Sequence, residues 1–196
     1  MEQTKTRQNN FCGIVLAGGK SRRMGVDKAS LTLEGRTFLE IQADKLRTLG
    51  ASDIIISGKT AALTGTRCVP DLYPDCGPLG GLYSCFLSTA LPCALVLSVD
   101  VPLISLPTLK ALLQLHMGGG YDATILSHDG NIEPLIAVYN TNIAGLAGEL
   151  ISNKKLAMKS FVDRLHYQLF SYEGSSEELL NCNSPEDHSA LEFFAK

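Results

Sequence analysis

Apolar residues in the first half of the chain follow two kinds of pattern. Residues 12–19 (CGIVLAGG), 53–57 (DIIIS) and 94–99 (ALVLSV) are rich in β-branched and aliphatic side chains and do not alternate with polar ones, which predicts strands covered on both faces. The stretches between them repeat at helical spacing. Over 37–49, Leu39, Ala43 and Leu46 stand at i, i+4 and i+7, and Gly50 follows as a stop. A second helix is predicted over 80–89, and a third from Pro107, a residue favoured in a first turn, through Leu109, Leu112 and Leu113 to His116. Past three glycines at 118–120, strands over 122–127 and 134–139 flank the turn cluster His128-Asp129-Gly130-Asn131 and are predicted to pair as a hairpin. Helices over 142–151 and 155–165, strands near 166–172 and 179–183, and a last helix complete the pattern. That helix has Ser184 to cap it, Pro185, Glu186 and Asp187 in its first turn, and Leu191 and Phe194 as its apolar stripe.

Strand and helix alternate, so the expected fold class is α/β: a Rossmann-like three-layer α/β/α sandwich around a mostly parallel sheet with right-handed crossovers. Ligands in such sheets bind beyond the carboxyl ends of the strands. A chain of 196 residues is one domain's worth. We expect a single domain over 11–196, preceded by a disordered, polar and aperiodic segment 1–10 (MEQTKTRQNN).

Composition narrows the function. With 45% hydrophobic and 19% charged residues the chain reads as globular, and its 17 basic against 20 acidic residues lack the basic excess that a nucleic-acid groove or an anionic membrane surface requires. Neither is expected as a partner. The apolar run 11–17 falls well short of the roughly 20 residues that cross a bilayer. Lys20, Arg22 and Arg23 follow it, whereas an export signal has its positive charge in front, so a cytoplasmic location is expected. Six cysteines without a C-x-x-C pair read as inert thiols, and the four histidines show no zinc-ligand spacing.

Chemistry concentrates in residues 16–28, LAGGKSRRMGVDK, directly after the first strand. Three glycines and four cations in these thirteen residues suit a backbone cradle for phosphate oxygens with guanidinium and ammonium groups to neutralise developing charge. A Walker A loop is excluded, because Ile14 stands where its first glycine belongs, and the Rossmann G-x-G-x-x-G is excluded by Lys20. The loop L-A-G-G-x-S-x-R-M-G-x-x-K resembles the signature of nucleotidyltransferases that activate sugars and cofactors. Asp71 with Gly77-Pro78-Leu79-Gly80-Gly81, then S-V-D-V-P-L at 98–103, then N-C-N-S-P-E-D at 181–187 resemble, in order and spacing, the molybdenum cofactor guanylyltransferases.

The resemblance implies a nucleotidyltransferase-type fold and transfer of GMP from GTP to the terminal phosphate of molybdopterin, with pyrophosphate released. It implies Mg2+ as cofactor, GTP and molybdopterin as substrates, and transient contact with other molybdenum cofactor proteins. Residues 11–105 would bind nucleotide and 106–196 the acceptor. Arg23, Lys28 and Asp100 are the implied catalytic residues, with Leu16, Ala17, Gly18, Gly19, Lys28, Asp71 and Asp100 on the nucleotide, Asp100 on the metal, and Gly77, Gly81 and Asn183 on the acceptor. By the residues alone, Asp100 reads either as a metal ligand at the carboxyl end of a strand or as a helix cap, and Asp71 as either a ligand or a turn residue. One departure stands out: Ser57-Gly58-Lys59 follows the second strand where the family pattern leads to an asparagine. Lys154, Lys155 and Lys159 could face an anionic pterin or simply solvent. Competing functions are cytidylyl transfer to the same acceptor, which goes with L-A-A-G where this chain has Gly18-Gly19, and a non-catalytic GTP-binding protein that hands over cofactor.

Overall fold

The computed structural model describes residues 10–17, 28–58 and 63–195, so all but Asn10 of the segment expected to be disordered lies outside the described residues. In chain order the elements are β1 (Phe11–Leu16), a 3-10 turn (Lys28–Ser30), β2 (Thr32–Leu33), β3 (Arg36–Thr37), α1 (Phe38–Thr48), β4 (Asp53–Ser57), β5 (Arg67–Val69), α2 (Gly77–Leu87), β6 (Cys93–Ser98) and α3 (Leu106–Gly118). There follow β7 (Ala123–His128), β8 (Asn131–Asn140), α4 (Ala144–Ser152), α5 (Met158–Val162), β9 (Tyr167–Ser171), a 3-10 turn (Ser176–Leu179) and α6 (Pro185–Phe194).

One sheet of order β5-β4-β1-β6-β8-β7-β9 forms the middle layer. Only β8 runs against the others, pairing antiparallel with both β6 and β7, so the sheet is mostly parallel as expected. Side chains alternate along β1 between two cores, which explains why the strand is apolar throughout. Phe11 and Val15 face Leu39 and Leu46 of α1, Leu109 and Leu112 of α3 and Leu191 of α6. Cys12, Ile14 and Leu16 face Leu79 and Leu82 of α2, Ala147 of α4 and Phe161 of α5. At Gly13 a Cβ would lie 2.7 Å from Leu46 Cδ1, so the missing side chain is what lets α1 lie against the strand.

The helix ends are set by local chemistry. Thr37 and Glu40 close a capping box on α1, Ser105 accepts from Thr108 N to start α3, and Ser184 and Asp187 close a second box on α6. The sequence reading misses the short β2–β3 hairpin and the edge strand β5, and it extends α5 too far: Lys154, in the left-handed region at φ +57°, turns the chain out of α4, and helix resumes only at Met158. The predicted strand over 179–183 is corrected to the end of a 3-10 turn and an irregular segment. Its apolar residues pack inward, but among the described residues its backbone meets no ladder; Cys182 N donates to Asp100 O at 2.9 Å instead.

Candidate active site at the carboxyl edge of the sheet

β1, β4 and β6 all end at one edge, and their final residues align in register, Leu16 beside Ser57 and Ser98. The turn leaving β6 carries Asp100. Lys28, the last residue of the signature loop, donates through Nζ to Asp100 Oδ2 at 2.8 Å and to Asn183 Oδ1 at 2.5 Å. Side-chain exposure of 14% for Lys28 and 18% for Asp100 puts this pair well outside the class of surface ion pairs that solvent renders nearly neutral. Ser98 Oγ donates to Asp100 Oδ1. Residues from three distant stretches of sequence thus meet at the Lys28 ammonium. Capping is not the role of Asp100, because Ser105 caps α3.

Asn183 is held in turn by α6. Its backbone N–H, at 2.8 Å, and that of Ser184, at 2.9 Å, both donate to Asp187 Oδ2, and these bonds, the one from Asn183 foremost, hold the Asp187 carboxyl below its ordinary range. Across the antiparallel β6–β8 pair, burial foremost and the charge of Asp100 second push the carboxyl of Glu133 upward.

The β4–α2 side of the edge differs. Asp71 follows β5; its Oδ1 is buried without a hydrogen-bond partner among the described residues, and burial raises its carboxyl. Gly77 opens α2 at φ +60° with no atom near its absent Cβ, a backbone conformation that glycine adopts without strain. Among the described residues no side chain caps this helix, leaving its first N–H groups to other acceptors. At Gly81 a Cβ would come within 2.7 Å of Ser57 Oγ. Gly81 therefore admits α2 to the end of β4, and Ser57, only 2% exposed, occupies the position where an asparagine was expected.

Leu16 and Ala17 are buried at the end of β1. Gly18, Gly19 and Arg23 lie outside the described residues. The structure brings Lys28, Asp100 and Asn183 into contact; Asp71, Gly77 and Gly81 belong to the neighbouring turn and helix. Lys154, Lys155 and Lys159 are exposed. Cys12, Cys76, Cys85, Cys93 and Cys182 are free thiols, and burial pushes the Cys12 thiol up to about 12 and that of Cys93 to about 11, which opposes thiolate chemistry. Sequence reasoning missed Gln42 and Lys45 of α1, which reach the Asp100 turn, and the grip of Asp187 on Asn183. The available signal for Gln42 was a polar residue inside an apolar stripe.

A mostly parallel α/β sheet with Lys28 and Asp100 paired at its carboxyl edge, in a chain whose glycine-rich signature follows β1 in sequence, fits a nucleotidyltransferase. Comparison with known proteins narrows the class: residues 13–168 match the MobA-like NTP transferase domain. The chain belongs to that family. It is 34% identical to the molybdenum cofactor guanylyltransferase of Xanthomonas euvesicatoria pv. vesicatoria (strain 85-10), covering 95% of this chain and 96% of the relative. The fold is shared with the crystal structure of molybdopterin-guanine dinucleotide biosynthesis protein A from Archaeoglobus fulgidus, with TM-score 0.81 and 21% identity over 94% of this chain and 98% of that one. It is also shared with a Mycobacterium tuberculosis H37Rv protein solved in complex with manganese, with TM-score 0.70 and 18% identity over 93% and 97%.

Proposed function

We propose that the protein transfers GMP from GTP to the terminal phosphate of molybdopterin, forming molybdopterin guanine dinucleotide and pyrophosphate. The observation that carries this reading is the Lys28–Asp100–Asn183 contact at the carboxyl edge, in a chain whose curated relative bears that activity in its name. An acceptor phosphate oxygen attacks the α-phosphorus, and the bond from that phosphorus to the pyrophosphate oxygen breaks. The nucleophile is already anionic, so no general base is required. What the reaction requires is positioning and positive charge.

The donor set suits a hard divalent ion. Asp100 offers a carboxylate, and among the described residues no group of three or more His, Cys, Asp or Glu could cage a metal; magnesium typically keeps waters and takes one or two carboxylates plus substrate phosphates. Asp100 would hold it, and the bound ion supplies charge neutralisation at the phosphates. In this reading Lys28 turns its ammonium to the nucleotide phosphates, and Arg23 stabilises charge developing at the α-phosphate. Leu16, Ala17, Gly18 and Gly19 line the nucleotide with their backbone, and the raised carboxylate of Asp71 accepts a hydrogen bond from it. Gly77, Gly81 and Asn183 are assigned to the acceptor. The nucleotide part extends to residue 105 and the acceptor part from 106, within one domain over 11–196. A cytoplasmic location and transient contact with other molybdenum cofactor proteins belong to the same proposal; among the described residues no helix is long and apolar enough to cross a membrane.

The test is pyrophosphate release from each of the four nucleoside triphosphates with magnesium and molybdopterin, paired with thermal shifts. GTP is expected to turn over and to raise the Tm well above the shift given by CTP at matched concentration, since a ligand of the native state stabilises it by mass action. Equal shifts and equal turnover with CTP would remove the guanine assignment. Absence of pyrophosphate with every triphosphate would favour a binding protein over an enzyme.

A further inference from the structure

Helix α1 meets the turn that carries Asp100 with two polar side chains, one helical turn apart. Gln42 is completely buried among Leu39, Ala43 and Leu46, the apolar face of the helix. Its Nε2 donates to the carbonyl oxygens of Ser98 and Val101, both at 2.8 Å. Carbonyl oxygens only accept, so the amino end of the amide must face the turn. The other end, Oε1, is buried with no hydrogen-bond partner among the described residues. Three residues further along, Lys45 donates through Nζ to the carbonyl of Pro102.

An amide with an orphaned oxygen is an unfavourable way to fill an apolar helix face, where a leucine would leave no polar atom of its own unpaired. What Gln42 supplies in exchange is a fixed path for the backbone on both sides of Asp100. The remaining tethers come from other directions: Val99 N donates to Leu16 O at 3.2 Å, and Cys182 N to Asp100 O at 2.9 Å. With carbonyls 98, 101 and 102 held from α1, the backbone that carries Asp100 is fixed in place, and Lys28 and Ser98 then set the direction of its carboxylate. Partners that orient a metal ligand in this way typically change metal affinity or activity ~10–100-fold when removed.

We propose that Gln42, assisted by Lys45, is a positioning residue that holds the backbone of residues 98–102 so that the Asp100 carboxylate is aimed at the metal and the nucleotide phosphates. The inference rests on the assignment of Asp100 to the metal in the proposed function. Its test is Mn2+ binding to the protein with GTP and without acceptor, measured by electron paramagnetic resonance of the free ion. Wild type, Asp100→Asn, Gln42→Met and Lys45→Met are compared, with near-ultraviolet circular dichroism reporting the fold.

Asp100→Asn is expected to weaken Mn2+ binding most. Gln42→Met should weaken it about tenfold or more, and Lys45→Met several-fold. In turnover assays the Gln42→Met protein should recover kcat as metal is raised while its KM for GTP stays near wild type, a split that a general loss of packing would not produce. Wild-type Mn2+ affinity in a folded Gln42→Met protein, while Asp100→Asn is weakened, overturns the positioning role and leaves the metal assignment standing. Wild-type affinity in Asp100→Asn overturns the metal assignment and this inference with it. Should Gln42→Met fail to fold, Lys45→Met decides, because its bond to the Pro102 carbonyl is only part-buried, and unchanged Mn2+ affinity there overturns the clamp.

Discussion

The two sides of the carboxyl edge are built on opposite principles. Around β6, the groups about Asp100 partner one another inside the protein: Asp100 takes Lys28 and Ser98, Lys28 takes Asn183, and Asn183 takes Asp187. Around β4 and α2, the Asp71 carboxylate keeps a buried oxygen without a partner and the helix begins without a side-chain cap. A satisfied network holds its geometry before any ligand arrives, as catalysis of charge transfer requires. Unsatisfied groups store desolvation that a ligand can relieve. The first side is therefore arranged for chemistry and the second for binding, and substitutions on the two sides should separate turnover from affinity.

The largest effect is expected on the network side. Asp100→Asn should lower turnover roughly 10²–10³-fold, partly recovered by added magnesium or manganese in steady-state assays, and should lower the Tm as well, because the largely buried Lys28 ammonium loses its charge partner. Wild-type rates with an unshifted metal titration would erase the contrast between the two sides. Arg23→Ala and Lys28→Ala should diverge: the first lowers kcat far more than it weakens GTP binding, the second alters both. A pure KM defect in Arg23→Ala would contradict the assigned role.

Gly81→Ala sharpens the binding side by attacking its packing. The new Cβ would meet Ser57 Oγ at 2.7 Å, an overpacking that typically costs about 1–3 kcal/mol, and Ser57→Gly in the same chain should restore most of the Tm. Asp71→Asn should act in two directions. Burial raises the Asp71 carboxyl in the folded state, so its contribution to stability is greatest below the unfolded pKa and is lost as pH rises through the folded one. The asparagine variant should be slightly more stable than wild type at neutral pH and equal to it in acid, while binding GTP more weakly; calorimetry across pH checks both.

The smallest effect is expected at Asp187. Its carboxyl is depressed by the Asn183 and Ser184 amides, so the stability it contributes is present above the unfolded carboxylate pKa and fades as pH falls through the folded value. Asp187→Ala should lower the Tm modestly at neutral pH and converge with wild type in acid. Because it also frees Asn183, turnover should fall several-fold, with little change in GTP affinity.

Periodicity and punctuation by themselves determined the strands β1, β4 and β6, the hairpin of β7 and β8, and the cap of Ser184, because each rests on side chains within a few residues of one another. The motifs likewise pointed to Lys28, Asp71, Asp100 and Asn183. Long-range pairing was not legible. Nothing local in Arg67-Cys68-Val69 specifies a strand until Ile55, Ile56 and Ser57 offer a free edge, and residues 179–183 have strand-like composition but no neighbour to complete a ladder. Only the tertiary structure decided that Lys28 lies against Asn183, 155 residues away, that Gly81 is empty because Ser57 is there, and that Gln42 spans the Asp100 turn. The physical reason is the same in each case: a hydrogen bond or a contact needs its partner within a few ångströms, and that proximity is set by the order in which the strands assemble, which no local window of the chain contains.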